Sequence, residues 1–447
     1  LRQLKTVPTL SDFLGTLPWS SHAKVAATTD FRVDNNRLNI KSVDAFRKDP
    51  RNLIRFFLEA EKNNLLLHPE AIRQIRTSLP LIDEKFRRDP EANRLFLELL
   101  TSRGAPEMSL RAMNEAGVLG RFIPDFGRIV AMMQFNMYHH YTIDEHLIRA
   151  IGVLSQIEKG VLGNELPLST EIIANIQNRR ALYLALLMHD VAKALEGDHS
   201  AVGARIVKRL ALRLGLTAGE AETASWLVEH HLVMSQTAQS RDISDPQTVR
   251  NFADIVQSPE RLKLLLLLTV ADIRAVGPGI WNGWKGQLLR SLYYDTEPLL
   301  AGGHTRLPRQ ARIAAAQDRL RGALAEWPPF EVERFIGRHD SDYWLRTDVD
   351  RQVQHALLIR RFENDHLRLA FDMRSDAFRS LTELTLVTKD NPRVLMVLAG
   401  ACAAAGANIS SAQISTTKDV VAIDTLFLQR MFQDDSDEFS QAHKIAR

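Results

Sequence analysis

The chain has 447 residues, 45% of them hydrophobic and 25% charged, with a formal net charge of +3. That length supports roughly two to four domains with full cores, and so small a charge, with no basic stripe interleaved with aromatics, argues against nucleic acid as a partner. The single cysteine, Cys402, excludes an internal disulfide framework and fits a reducing cytosol. The apolar run Leu264 to Val270 is too short to span a bilayer, so no membrane role is expected. No signal peptide opens the chain, and the first residue is Leu1 rather than Met, so we expect a piece of a longer cytoplasmic protein.

In chain order, Phe31-Arg32-Val33 and Leu38-Asn39-Ile40 flank a turn-like Asp34-Asn35-Asn36, which predicts a short hairpin. Residues 43 to 130 read as successive amphipathic helices. Leu53, Phe56, Phe57 and Ala60 share one face, and Leu95, Phe96, Leu99 and Leu100 another. Pro80, Pro90, Pro106 and Pro124 mark the boundaries. Nothing in residues 1–130 carries chemistry on its own.

Residues 136–290 are also helical and concentrate the histidines: of fourteen in the chain, seven fall between His139 and His231. Thr142-Ile-Asp-Glu145 has the form of a capping box, which puts His146 in the first turns of a helix. Leu182 to Met188 is apolar on every side, as in a core helix, and delivers His189 and Asp190 side by side, with Lys193 one turn beyond. Such a pair at the end of a buried helix is costly unless it meets solvent or binds something, and a metal ion is the obvious candidate. His199 follows a Gly197-Asp198 loop, and His230-His231 lies at the end of a further helix. Neighbouring helix positions diverge by about 100°, so adjacent histidines rarely face one small target. Leu264 to Ala271 is a second apolar helix, ending in Asp272. A metal between the two helices accounts for both buried acids.

The ordered set His146, His189-Asp190, Lys193, His199, His230-His231, Asp272 resembles the HD-domain metal-dependent phosphohydrolases. The signature of that family is a His, a His-Asp pair and a distant Asp. The resemblance implies that His146, His189, Asp190 and Asp272 hold one divalent ion, Mg²⁺ or Mn²⁺. It further implies that His199, His230 and His231 help hold a second ion or contact phosphate, with Asp190 bridging. Lys193 stands where the His-Asp-x-x-Lys variant has its lysine, a point charge for a phosphate oxygen. The catalytic group is then His189, Asp190 and Lys193. Such a site serves phosphomonoesters and phosphodiesters alike.

Flanking segments narrow the choice. His140 to His146, Gly197-Asp-His-Ser200, Ser235 to Asp242 and Trp281-Asn-Gly-Trp-Lys285 resemble the bacterial PII uridylyltransferase/uridylyl-removing family, from about residue 28 to the C-terminus. In that family the HD domain removes UMP from uridylyl-tyrosine on the PII signalling protein. His140 would be an extra histidine upstream of the signature. No Gly-Ser or Gly-Gly followed closely by Asp-x-Asp occurs, so the uridylyltransferase site is expected to lie outside this chain. A (p)ppGpp hydrolase, or a sensor with a vestigial site, is the alternative.

Residues 291–378 read as a helical connector, with a hinge at Gly302-Gly303 and surface acids at Asp340, Asp342, Asp348 and Asp350. Beyond residue 379 the pattern changes. Leu381 to Val387 alternates, Val394 to Ala405 is an Ala-rich helix ended by Gly406, and Ile409–Ser415 and Val420–Leu428 alternate again. This βαββ order resembles an incomplete ACT domain, an amino-acid-binding module. The resemblance implies glutamine as effector, with Asp390 and Asn408 at the ligand positions. The expected fold is therefore mainly α, an all-helical HD domain followed by a small α+β domain.

Overall fold

The structure, a computed structural model, describes residues 30–133, 141–163, 165–243, 245–277, 279–301, 306–347, 349–376, 381–429 and 445. His140, the Gly302-Gly303 hinge and Asp348 lie outside the described residues. The chain is mainly α-helical and divides into two compact units, Leu1–Asn164 with Ala174–His231, and Glu165–Ile173 with Leu232–Arg447.

The first unit opens with the hairpin, β1 (Phe31–Asp34) against β2 (Arg37–Ile40), antiparallel, with β3 (Leu66–Leu67) parallel to β2. Asn35 and Asn36 both have positive φ, 50° and 59°, the conformation that a two-residue hairpin turn demands and that asparagine tolerates. Helices α1 (Asn52–Lys62), α2 (Pro90–Leu100) and α3 (Pro106–Glu115) follow. Proline sits at the start of α2 and α3, where its missing N–H costs nothing. The apolar faces of α1 and α2 are buried as their spacing predicts.

Four longer helices complete the unit: α4 (Ile143–Glu158), α5 (Arg179–Met188), α6 (His199–Arg213) and α7 (Ala218–Glu229). Every residue of α5 from Ala181 to Met188 is fully buried. Two glycines allow close approach. A Cβ at Gly152 of α4 would lie 1.8 Å from Oε2 of Glu107 on α3, and one at Gly203 of α6 would lie 3.1 Å from Val228 of α7. The capping box expected at Thr142 does not form. Thr142 is the N-cap, but its side chain caps nothing, and the Glu145 carboxylate is instead held by Arg111 at 3.2 and 2.7 Å.

The second unit contains α8 (Pro259–Ala275), whose Leu264 to Leu268 run is buried throughout. It continues with α9 (Gly283–Leu300), α10 (Pro329–Arg338) and α11 (Val349–Asn364). A four-stranded antiparallel sheet closes it: β4 (Leu369–Asp376), β5 (Leu381–Lys389), β6 (Ile409–Thr416) and β7 (Val421–Gln429), in the order β4-β5-β7-β6. Helix α12 (Val394–Ala404) connects β5 to β6. The module is thus ββαββ, and the stretch read as wholly helical connector ends in a strand. One sheet face packs Leu384, Leu386 and Leu426 on Leu398 and Cys402 of α12. The other packs Val387, Val421 and Ile423 among Phe335, Ile359 and Phe362 from α10 and α11. Among the described residues, no helix is long and apolar enough to cross a membrane.

Candidate metal centre

Helix α5 ends at His189, which serves as its C-cap. Asp190 then opens a 3₁₀ turn, Val191–Ala194, that brings Lys193 back over it. The Lys193 Nζ stands 2.6 Å from Asp190 Oδ2, so the carboxylate taken from the core helix is neutralised within one turn. Three other helices of the same unit supply the rest. His146 comes from the second turn of α4, His199 from the start of α6, and His231 from just beyond α7.

These donors converge. His146 Nε2 and His189 Nε2 are 3.4 Å apart, and His189 Nε2 is 3.6 Å from Asp190 Oδ2. On the other oxygen, His199 Nε2 and His231 Nε2 stand 3.9 and 3.7 Å from Asp190 Oδ1. His146, His189, Asp190 and His231 are all buried, each less than 5% exposed. Two ligand triplets result, His146-His189-Asp190 and Asp190-His199-His231, and Asp190 belongs to both.

The hydrogen bonds behind the rings fix which nitrogen faces inward. His189 Nδ1 donates to the Leu186 carbonyl at 2.8 Å, and His231 Nδ1 to the Val228 carbonyl at 2.7 Å. A carbonyl oxygen can only accept, so each Nδ1 carries its proton and each Nε2 presents a lone pair to the cluster. A carbonyl behind the ring that holds Nδ1–H in this way is the usual arrangement for metal-binding histidine. His199 Nε2 is buried without a hydrogen-bond partner among the described residues. Donors about 2.1 Å from a common ion stand roughly 3 to 3.5 Å from each other, close to the spacings found. The residues therefore fit a divalent cation.

The scaffold behind α4 is polar. Asp144, two residues before His146, accepts from Asn114 Nδ2 at 2.7 Å and from the Ala131 backbone N–H at 3.1 Å. These positioning groups were not singled out in the sequence, where Asp144 reads as an ordinary first-turn acid. His230 takes a different place from His231. Its ring stacks on Trp226, with centroids 4.8 Å apart, and its Nδ1 meets the Trp226 carbonyl at 3.0 Å. It joins neither triplet among the described residues. Asp272 is half-buried near the end of α8, in the second unit. Asp390 is half-buried and Asn408 exposed, and they stand beyond opposite ends of α12; Thr416 donates to the Asp390 carboxylate at 3.1 Å.

Comparison with known proteins agrees with this geometry. Residues 143–274 match the HD domain, a span that includes both His146 and Asp272. Residues 31–122 match the family described as the uridylyltransferase GlnD third domain. The chain is homologous to bifunctional uridylyltransferase/uridylyl-removing enzymes along its whole length. It is 50% identical to the one from Nitrobacter winogradskyi across 100% of this chain and 48% of that protein. The proteins of that name from Bradyrhizobium diazoefficiens and Rhodopseudomonas palustris are also 50% identical, across 99% of this chain and 48% of each. The chain thus spans about half the length of these relatives.

Proposed function

We propose that the histidine cluster hydrolyses a phosphodiester, removing uridylyl groups as UMP from a tyrosine of the PII signalling protein. The observation that carries this reading is the convergence of the His189, His199 and His231 Nε2 atoms on the two oxygens of Asp190, with His146 Nε2 3.4 Å from His189 Nε2. In this reading His146, His189 and Asp190, joined by Asp272, hold one divalent ion. Asp190, His199 and His231, with His230 beside them, hold a second. Mg²⁺ and Mn²⁺ are the candidates. When bound, such ions lower the pKa of water to about 7 and neutralise charge building on the phosphoryl group. The chain's own residues do the rest. The Leu186 and Val228 carbonyls hold the rings of His189 and His231 in the binding tautomer. Lys193, close above Asp190, offers a point charge to a phosphate oxygen, and the buried walls keep bulk water from screening it.

Glutamine control belongs to the same proposal, through the ACT-like module with Asp390 and Asn408 as effector contacts. The relatives' names also include uridylyl transfer, which we assign to the part of such proteins outside this chain. The test is to offer the purified chain uridylylated PII and, separately, (p)ppGpp, with Mn²⁺ present. UMP release with no attack on (p)ppGpp is expected. Hydrolysis of (p)ppGpp alone would replace the substrate assignment and leave the metal site standing.

A further inference from the structure

A second polar site lies wholly within the second unit, where the start of α11 and the end of α10 face strands β6 and β7. It is a cavity of about 240 Å³ lined by residues that include His339, Gln413, Ser415 and Thr425. His339, the C-cap of α10, is only 4% exposed, yet neither of its ring nitrogens has a hydrogen-bond partner among the described residues. The ring is held from behind. It stacks on Tyr343 with centroids 3.7 Å apart and planes 13° from parallel, and Tyr343 is tied to His355 through a 3.0 Å hydrogen bond between its hydroxyl and Nδ1. Gln413 Nε2, on β6, is likewise buried without a partner among the described residues.

Buried donors and acceptors left without partners are costly, and a rigid ring aimed into a cavity is a preorganised one. Among the described residues the lining contains no lysine or arginine, and the neighbouring Arg338 is engaged by Glu363 and Asp419, so an anion finds little countercharge. The one acid among the described lining residues, Asp340, is 74% exposed and faces Lys418 at 3.9 Å, so a cation finds little. Burial lowers the His339 pKa to about 3, which keeps the ring neutral, with one N–H and one lone pair. What such walls match is a neutral group carrying a donor and an acceptor side by side. The volume equals that of roughly eight waters, which suits a small metabolite and not a nucleotide.

We propose that this cavity binds a small neutral ligand through a carboxamide, which bridges one ring nitrogen of His339 and the Gln413 side chain. It is distinct from the histidine cluster and from the Asp390 and Asn408 positions. The inference does not rest on the reaction proposed above, because its readout is binding. The experiment titrates the full chain, labelled with ¹⁵N in its histidine rings, with acetamide, acetate and acetamidinium. The three have nearly one shape and differ in charge. His339→Phe, which keeps a ring on Tyr343 and removes both nitrogens, identifies the signal. Saturable shifts of the His339 ring by acetamide are expected, with acetate and acetamidinium at least tenfold weaker. Acetamide binding should fall at least tenfold in His339→Phe and in Gln413→Leu, which carries the test if the first variant folds poorly. No saturable shift, equal binding in the variants, or equal binding of acetate would overturn the proposal.

Discussion

Asp190 is where chemistry and structure meet most closely. Its two oxygens face Lys193 and the imidazoles of His189, His199 and His231 within 4 Å, and it belongs to both ligand triplets. Replacing a carboxylate oxygen by an amide N–H turns an acceptor towards lone pairs into a donor and removes the charge. Asp190→Asn is therefore expected to cut hydrolysis by more than about 100-fold and to strip bound metal, with the helical circular dichroism unchanged. Metal analysis of the purified variant beside the wild type checks this. Lys193→Ala leaves every ligand in place and should keep the metal while lowering turnover about 10²-fold.

A second acid makes a stability prediction. Asp424 on β7 is 3% exposed, and burial, helped by the Asp390 carboxylate, pushes its pKa up to about 6. A raised carboxyl pKa means the folded state favours the proton. That contribution is full below the ordinary value of 3.8 and is lost as pH rises through 6. At neutral pH the fold holds a buried charge, which Asp424→Asn removes. The variant should be more stable than wild type at pH 7, by up to about 3 kcal/mol, and equal to it below pH 4. Urea unfolding at the two pH values measures the difference. At this scale the sequence announces residue types better than directions. The histidines and Asp190 are legible as a set, and so is the geometric reason that His230 and His231 diverge. That Trp226 captures the His230 ring is not, because the stack depends on side-chain rotamers.

Among the elements, α4 sets the position of His146, and its own place depends on α3. Gly152 admits the Glu107 side chain, while Arg111 binds both Glu107 and Glu145, at 2.8 and 2.7 Å. Gly152→Ala should lower stability by about 1–3 kcal/mol, because the carboxylate it meets must leave its place on Arg111. Adding Glu107→Ala removes the obstacle, so the double variant should lose less than the sum of the singles. Equal, additive losses would show that the close approach is not what matters. Legibility varied with the element. The hairpin, α5, α8 and the β5-α12-β6-β7 order follow from periodicity and turn residues. β4 alternates too, with Leu369, Phe371 and Met373 packed on the α12 side of the sheet, but its partner strand lies later in the chain. The Thr142 box failed for a tertiary reason. Arg111, 34 residues upstream of Glu145, outcompetes the local N–H groups for its carboxylate.

For the molecule as a whole, the histidine ligands of both triplets come from the first compact unit, while Asp272 and the four-stranded sheet belong to the second. A linear pattern runs through residues of both units, which is why the spacing of the signature reveals its members but not which of them share a unit. The central claim is that this chain alone carries a metal-dependent uridylyl-removing centre. The most direct measurement is UMP release from uridylylated PII by the chain after chelation, and again after Mn²⁺ is restored. The account predicts no release from the stripped chain and recovery with Mn²⁺, and no recovery for Asp190→Asn. Release that persists undiminished in the stripped chain, or in Asp190→Asn, would contradict it.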